Sequence, residues 1–81
     1  MTSHSQKLDL TTFFLSIASA AYMGLKPEGG AAPDLILAKQ NIDLLELMLE
    51  KTANNRTEDE DKLIQNLLFE LRIHFVEAQK K

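Results

Sequence analysis

The sequence contains no cysteine, and its few prolines and glycines are confined to one short stretch. Without cysteine, the chain can form neither a disulfide framework nor a thiolate metal site. Both prolines and all three glycines fall between Gly24 and Pro33, where the segment KPEGGAA predicts a loop because Pro27, Gly29 and Gly30 break any regular period. The rest of the chain is therefore free of the residues that interrupt helices.

Clustered positive charge is also lacking. The formal net charge is −3, and Lys80 and Lys81 form the one adjacent basic pair, which argues against a nucleic-acid partner. The uncharged run from Leu10 to Leu25 is shorter than the ~20 residues that cross a bilayer, and its Thr and Ser residues dilute the apolarity, so we expect no membrane partner. The first residues lack the features of a secretory signal, which predicts a cytoplasmic protein.

The remaining pattern predicts an all-α domain of three helices over residues 8–81, after a disordered N-terminus at residues 1–7. Helix one begins near Asp9 or Thr11 and is expected to end at Gly24, as the left-handed residue that closes it. Ser16, Ala20 and Gly24 repeat small residues every four positions, a spacing that allows a second helix to approach closely. The predicted core stripe is Leu10, Phe13, Phe14, Ile17, Ala18 and Ala21.

Helix two, from Pro33 to about Asn55, is the long central element of the predicted fold. At about 100° per residue its main polar strip is only about 60° wide, so the helix must be covered from several sides. Pro33 is expected at the first helical position, and Asn54 or Asn55 in the left-handed conformation that ends the helix. The polar strip consists of Lys39, Asp43, Glu46 and Glu50.

Helix three is predicted from Glu58 to Gln79, because Thr57 and Glu60 have the spacing of a capping box. Its main apolar stripe is Leu63, Ile64, Leu67, Leu68, Leu71, Phe75 and Ala78. Phe69, Ile73 and Val76 form a second apolar patch on the opposite side. A helix that packs against one core does not need this patch, so we expect a second contact there, with helix one or with another copy of the chain.

His74 is the main candidate for chemistry, because Glu70 and Glu77 lie within reach of it on the same helix. Ferritin-like metal sites use Glu-x-x-His from each of two helices, whereas the order here is Glu-x-x-x-His and helix two has no histidine. We expect a structural, hydrogen-bonded histidine at the edge of the core. The alternative is a metal-binding or small-ligand-binding helical bundle. No stretch resembles a catalytic motif, so neither an enzyme nor a cofactor is predicted.

Several segments together resemble the small, helical, bacterial domain-of-unknown-function family DUF1844. The resemblance rests on Asp34, Leu35, Ala38, Ile42, Asp43, Leu44, Leu45, Lys51, Thr52, Leu71 and Arg72. Where the family tends to have glycine after Lys-Thr, this chain has Asn54, and where the family often has tyrosine, it has Phe75. The family carries no assigned activity, so the resemblance implies a fold and a bacterial source.

Size and surface together predict an assembly. A lone core in 81 residues is barely sufficient, and association of copies is a common remedy. We therefore expect a self-associating structural or protein-interaction module, a helical homo-oligomer, with Phe69, Ile73, Val76, Ser16 and Ala20 as candidate interface residues. If the chain is instead a stable monomer, the same surface is a docking site for a different protein.

Overall fold

The computed structural model describes residues 10–80, which form three α-helices packed against one another. α1 spans Leu10–Leu25, α2 spans Leu35–Lys51 and α3 spans Glu58–Gln79. One turn of 3₁₀ helix, Glu28–Gly30, lies in the loop between α1 and α2. The three-helix fold is confirmed, whereas the disordered N-terminus predicted for residues 1–7 lies outside the described residues. None of the described helices combines the length and hydropathy needed to cross a bilayer.

The core is formed by one side of each helix and is entirely apolar. Its largest fully buried side chains are Phe14 of α1, Leu45 of α2, and Ile64, Leu68 and Leu71 of α3. Leu63, Leu67, Phe75 and Ala78 pack around it. The predicted stripes of α1 and α3 are therefore confirmed, apart from Phe13, which is exposed.

The junction of α1 and α2 depends on a close approach at Gly24. A Cβ atom at this position would lie 2.9 Å from both the backbone nitrogen of Ala38 and the carbonyl oxygen of Asp34. The prediction of a left-handed Gly24 was wrong, because the helix continues to Leu25 and positive φ angles occur instead at Gly29 and Gly30 in the loop. A residue without a side chain is needed at position 24, because the backbone at the start of α2 lies against it.

α2 begins two residues later than predicted. Asp34 is the N-cap, and its Oδ1 accepts a hydrogen bond of 3.0 Å from the backbone N–H of Leu37. The prediction of Pro33 as the first helical residue was wrong, because a side-chain cap satisfies a free N–H group of the first turn and so places the helix start at Leu35.

The junction of α2 and α3 also differs from the prediction. No described residue other than glycine has a positive φ, so the left-handed Asn54 or Asn55 was wrong, and α2 ends at Lys51. Backbone N–H groups of the turn and side chains satisfy the last carbonyl groups instead, and the N–H groups of Thr52 and Ala53 donate to the carbonyl oxygens of Met48 and Glu50 at 2.9 and 3.4 Å. The Thr52 hydroxyl donates to the Met48 carbonyl oxygen at 2.6 Å, and Arg56 Nη1 donates to that of Leu49 at 2.6 Å. These bonds remove the need for a left-handed closing residue.

The start of α3 is as predicted. Thr57 Oγ1 accepts a hydrogen bond of 3.1 Å from the Glu60 N–H, and Glu60 Oε1 accepts one of 2.8 Å from the Thr57 N–H. Arg56, whose side chain is only 9 % exposed, also donates from Nε to Asp61 Oδ1 at 3.0 Å. The first turn of α3 is thereby tied to the last turn of α2.

Candidate interaction surface

The outward side of α3 carries the predicted second apolar patch, here called the α3 face: Phe69, Ile73 and Val76. These side chains are 65 %, 43 % and 47 % exposed. At about 100° per residue they lie within a sector of about 60°, opposite the buried Ile64, Leu68 and Leu71. The single chain therefore leaves the α3 face uncovered.

Shallow concavities extend the α3 face towards α2. One, of about 440 Å³, is lined by Phe69, Arg72, Ile73, Val76, Glu77 and Lys80. A second, of about 390 Å³, lies between α2 and α3 and is lined by Lys39, Ile42, Asp43, Glu46, Arg72, Phe75 and Val76. Both include Arg72 and Val76, so the two concavities form one continuous surface.

A second exposed apolar surface, here called the α2 face, consists of Ile36, Leu37, Leu44 and Leu47. Ile36 is 74 % exposed, the highest value among the large apolar side chains described. The sequence predicted that α2 must be covered from several sides, and within one chain α1 and α3 bury only Ala38, Ile42 and Leu45 of it. Leu35, Met48 and Leu49 also pack against the core, whereas the α2 face is left uncovered by α1 and α3.

Polar interactions between α2 and α3 border the α3 face. Arg72 Nη2 donates to Glu46 Oε2 at 2.6 Å, and both side chains remain about half exposed. On α2, Lys39 pairs with Asp43 one turn away at 3.0 Å. The Arg72–Glu46 pair was not predicted, because the two residues lie far apart in sequence and no local pattern relates them. Arg72 is thus held beside the apolar surface by its own chain.

The predicted row of small residues on α1 is only partly involved in helix packing. Gly24 contacts α2, as described above, whereas Ser16 is exposed and its Oγ donates to the Thr12 carbonyl oxygen at 3.0 Å. Ala20 is half-buried. Ser16 and Ala20 therefore remain predicted interface residues.

His74 lies at the edge of the core, as predicted, where its ring stands edge-on to Tyr22 with the centroids 5.7 Å apart. Its Nδ1 is buried and 3.5 Å from Glu77 Oε1 but makes no hydrogen bond to any described residue, so the predicted hydrogen bond is not found at this atom. The Tyr22 hydroxyl donates to Glu70 Oε1 at 3.4 Å. Burial raises the pKa of Tyr22 above 10.0, and the charge of Glu70 and this hydrogen bond raise it further.

Within the part of the chain that the structure describes, this cluster lacks the arrangement of a metal site. Among residues 10–80, no group of three or more His, Asp or Glu side chains is arranged to hold a metal ion. Glu70 is directed towards Tyr22, and Glu77 is the acidic residue beside His74. The metal-binding alternative therefore gains no support from the positions of these side chains.

A family model described as a domain of unknown function, DUF1844, matches residues 7–77, which include all three helices. The chain belongs to the DUF1844 family. No curated protein and no solved structure matches the chain. In this DUF1844 protein, the exposed apolar α3 face lies next to the charged side chains of Arg72 and Glu77.

Proposed function

We propose that this DUF1844 protein is a self-associating structural or protein-interaction module of the bacterial cytoplasm, with no catalytic activity of its own. The observation that carries the proposal is the position of the α3 face. Phe69, Ile73 and Val76 lie on the side of α3 that faces away from the core, where intramolecular packing cannot use them.

Leaving the α3 face in water costs free energy. Fully burying a Leu, Ile or Phe side chain gains roughly 1.5–3 kcal/mol, so the half-exposed residues of the α3 face forgo about 1 kcal/mol each. The α2 face adds four more such side chains. Because small domains have net stabilities of only about 5–15 kcal/mol, covering these faces changes the stability substantially. Closed twofold association is the commonest way to cover them.

The proposal is tested by measuring mass in solution. Sedimentation velocity and light scattering at micromolar concentration should give at least twice the chain mass. Phe69→Lys should lower that mass, because it places a charge within the α3 face at its most exposed residue. Met23→Lys is the matched control, since Met23 is also a large exposed apolar residue but lies at the end of α1.

A cooperatively folded monomer at this concentration would overturn the proposal. Equal effects of Phe69→Lys and Met23→Lys on the mass would show that association does not depend on the α3 face. Each variant should first be shown by circular dichroism to retain its helix content, so that a lower mass cannot be attributed to unfolding.

A further inference from the structure

Two associated copies can have their α3 helices parallel or antiparallel. The charges beside the α3 face distinguish these two orientations. Phe69, Ile73 and Val76 are spaced by four and then three residues, which is the spacing of a coiled-coil seam. A second α3 is therefore a fitting occupant for this face. The following inference rests on the proposed function, because it presupposes that copies associate.

The two flanks of the α3 face carry opposite charges. Arg72 and Gln65 lie on the flank next to α2, whereas Glu70 and Glu77 lie on the flank next to Tyr22 and α1. The side chains of Arg72 and Glu77 are 54 % and 65 % exposed. Arg72 uses Nη2 for Glu46, and a guanidinium has five N–H donors, so others remain for a second carboxylate.

An antiparallel pair of α3 helices would bring identical flanks together. With Ile73 near the twofold axis, Arg72 would lie beside the partner's Arg72, and Glu77 beside the partner's Glu70. Both contacts join like charges, which disfavours this orientation.

A parallel pair brings opposite flanks together, and a residue then meets the one five positions further along the partner helix. Arg72 lies five positions before Glu77, and Gln65 lies five positions before Glu70. We propose that two copies pack with their α3 helices parallel, Phe69, Ile73 and Val76 forming the seam and Arg72 of each chain pairing with the partner's Glu77. The twofold axis runs along the helices and produces the ion pair twice.

Lysine side chains at both ends of the seam are compatible with parallel packing. Lys62 and Lys80 lie in line with the α3 face, one beyond each end. In a parallel pair, each of these lysines therefore lies level with the same lysine of the partner. Lys62 is close to Glu58, at 3.9 Å, and both lysines are exposed. Their long aliphatic stems allow the charged groups to reach away from the seam into water.

Single cysteines test the orientation directly, because the natural chain has none. Lys80→Cys and Asn66→Cys are made separately, mixed, equilibrated and oxidised. Parallel packing predicts that each variant links to itself and that the mixed disulfide is rare, since positions 66 and 80 are about 21 Å apart along a helix. Glu28→Cys, in the exposed loop, measures random linking.

A charge reversal provides a second test. Glu77→Arg should raise the dissociation constant about tenfold or more in a parallel dimer, where the introduced guanidinium meets the partner's Arg72. In an antiparallel dimer the same change would meet the partner's Glu70 and lower the dissociation constant. Mixing the Glu77→Arg chain with an Arg72→Glu chain should restore association, because both contacts are then complementary. The mixing is done in a Glu46→Gln background, so that Arg72→Glu meets no like charge within its own chain.

The outcomes separate this inference from the proposed function. Predominant mixed disulfides, or tighter association of Glu77→Arg, would overturn the parallel arrangement while self-association stands. A dimer in which no seam position links above the Glu28→Cys level would overturn it as well, since another face must then hold the copies together. A wild-type monomer would overturn both. Self-linking together with restored association on mixing supports the inference.

Discussion

The guanidinium of Arg56 reaches back across the turn to the last turn of α2, where its Nη1 lies 2.6 Å from the carbonyl oxygen of Leu49. The same side chain donates from Nε to Asp61 in the first turn of α3. One nearly buried residue thus joins the end of one helix to the start of the next, and it does so without a glycine or a left-handed residue.

Removal of this side chain should destabilise the fold. Arg56→Ala leaves the Leu49 carbonyl and the Asp61 carboxylate without this donor, and we expect the free energy of unfolding to fall by about 2–3 kcal/mol. Lys39→Ala removes an exposed ion pair and should cost about 0.5 kcal/mol or less. Urea denaturation compares the two, and equal losses would contradict the role assigned to Arg56.

Gly24→Ala tests the close approach of α1 and α2. Alanine favours helix by about 1 kcal/mol over glycine in an open helical position. At this position the added methyl group would lie 2.9 Å from backbone atoms of α2, so overpacking should reverse the sign and cost about 1–3 kcal/mol. Ser19→Ala, at an exposed site in the same helix, should be neutral or slightly stabilising. A more stable Gly24→Ala protein would show that the two backbones are further apart.

Thr57→Ala tests the capping box at the start of α3. Loss of the bond to the Glu60 N–H should lower stability by about 0.5–2 kcal/mol, with the helix content retained below the transition. Thr57→Ser keeps the hydroxyl and should retain most of the stability. If the alanine and serine variants unfold at the same denaturant concentration, the cap contributes little.

Tyr22 can be titrated without interference, because the chain contains one tyrosine and no tryptophan. Burial is the largest cause of its raised pKa, followed by the charge of Glu70 and the hydrogen bond to it. The ultraviolet absorbance of tyrosinate should therefore titrate with a midpoint above 10.0 in the folded protein. Glu70→Gln should lower this midpoint but not abolish the shift due to burial. An unchanged midpoint in Glu70→Gln would remove Glu70 from this account.

The same shift makes stability depend on pH. Because folding raises the pKa of Tyr22, its contribution is fully present below the unfolded pKa and is lost as the pH rises through the folded value. The wild-type protein should lose stability between about pH 9 and about pH 11, and Tyr22→Phe should lose less over the same interval. Denaturation curves at the two pH values measure the difference.

The parts of the fold that the sequence predicted correctly are those encoded by local spacing. The α3 bounds followed from Thr57, Glu60 and the apolar period, and the α3 face followed from three residues out of phase with the core stripe. The errors lie where a distant group competes with a local preference. Glycine is common at helix ends, which led to the prediction that Gly24 closes helix one. Gly24 instead lies within α1, where its lack of a side chain allows the close contact with α2. Asn54 fits a left-handed turn, yet Thr52, Arg56 and the backbone N–H of Ala53 already donate to the last carbonyl groups of α2.

In the candidate interaction surface, too, the features set by local spacing were predicted and those set by the packing of helices were not. Periodicity alone identified Phe69, Ile73 and Val76, because exposure of a residue on a helix follows from its phase relative to the core. The Arg72–Glu46 pair could be identified only from the structure, since it depends on how α2 and α3 are placed against each other. His74 was correctly located at the core edge, but its hydrogen bonding depends on side-chain directions that spacing does not determine.

The backbone N–H of Asp34 donates to the carbonyl oxygen of Gly24 at 2.7 Å, so the two ends of the loop between α1 and α2 are held together independently of the residues between them. Within this loop, Glu28, Gly29 and Gly30 are exposed, and nothing lies within 4 Å of a Cβ atom built on either glycine. The entropy of closing a flexible loop rises by only about 0.6 kcal/mol for each doubling of its length. A peptide tag or a small fluorescent domain inserted between Gly29 and Gly30 should therefore leave the helices in place, which makes this loop the natural position for a label that leaves α3 untouched.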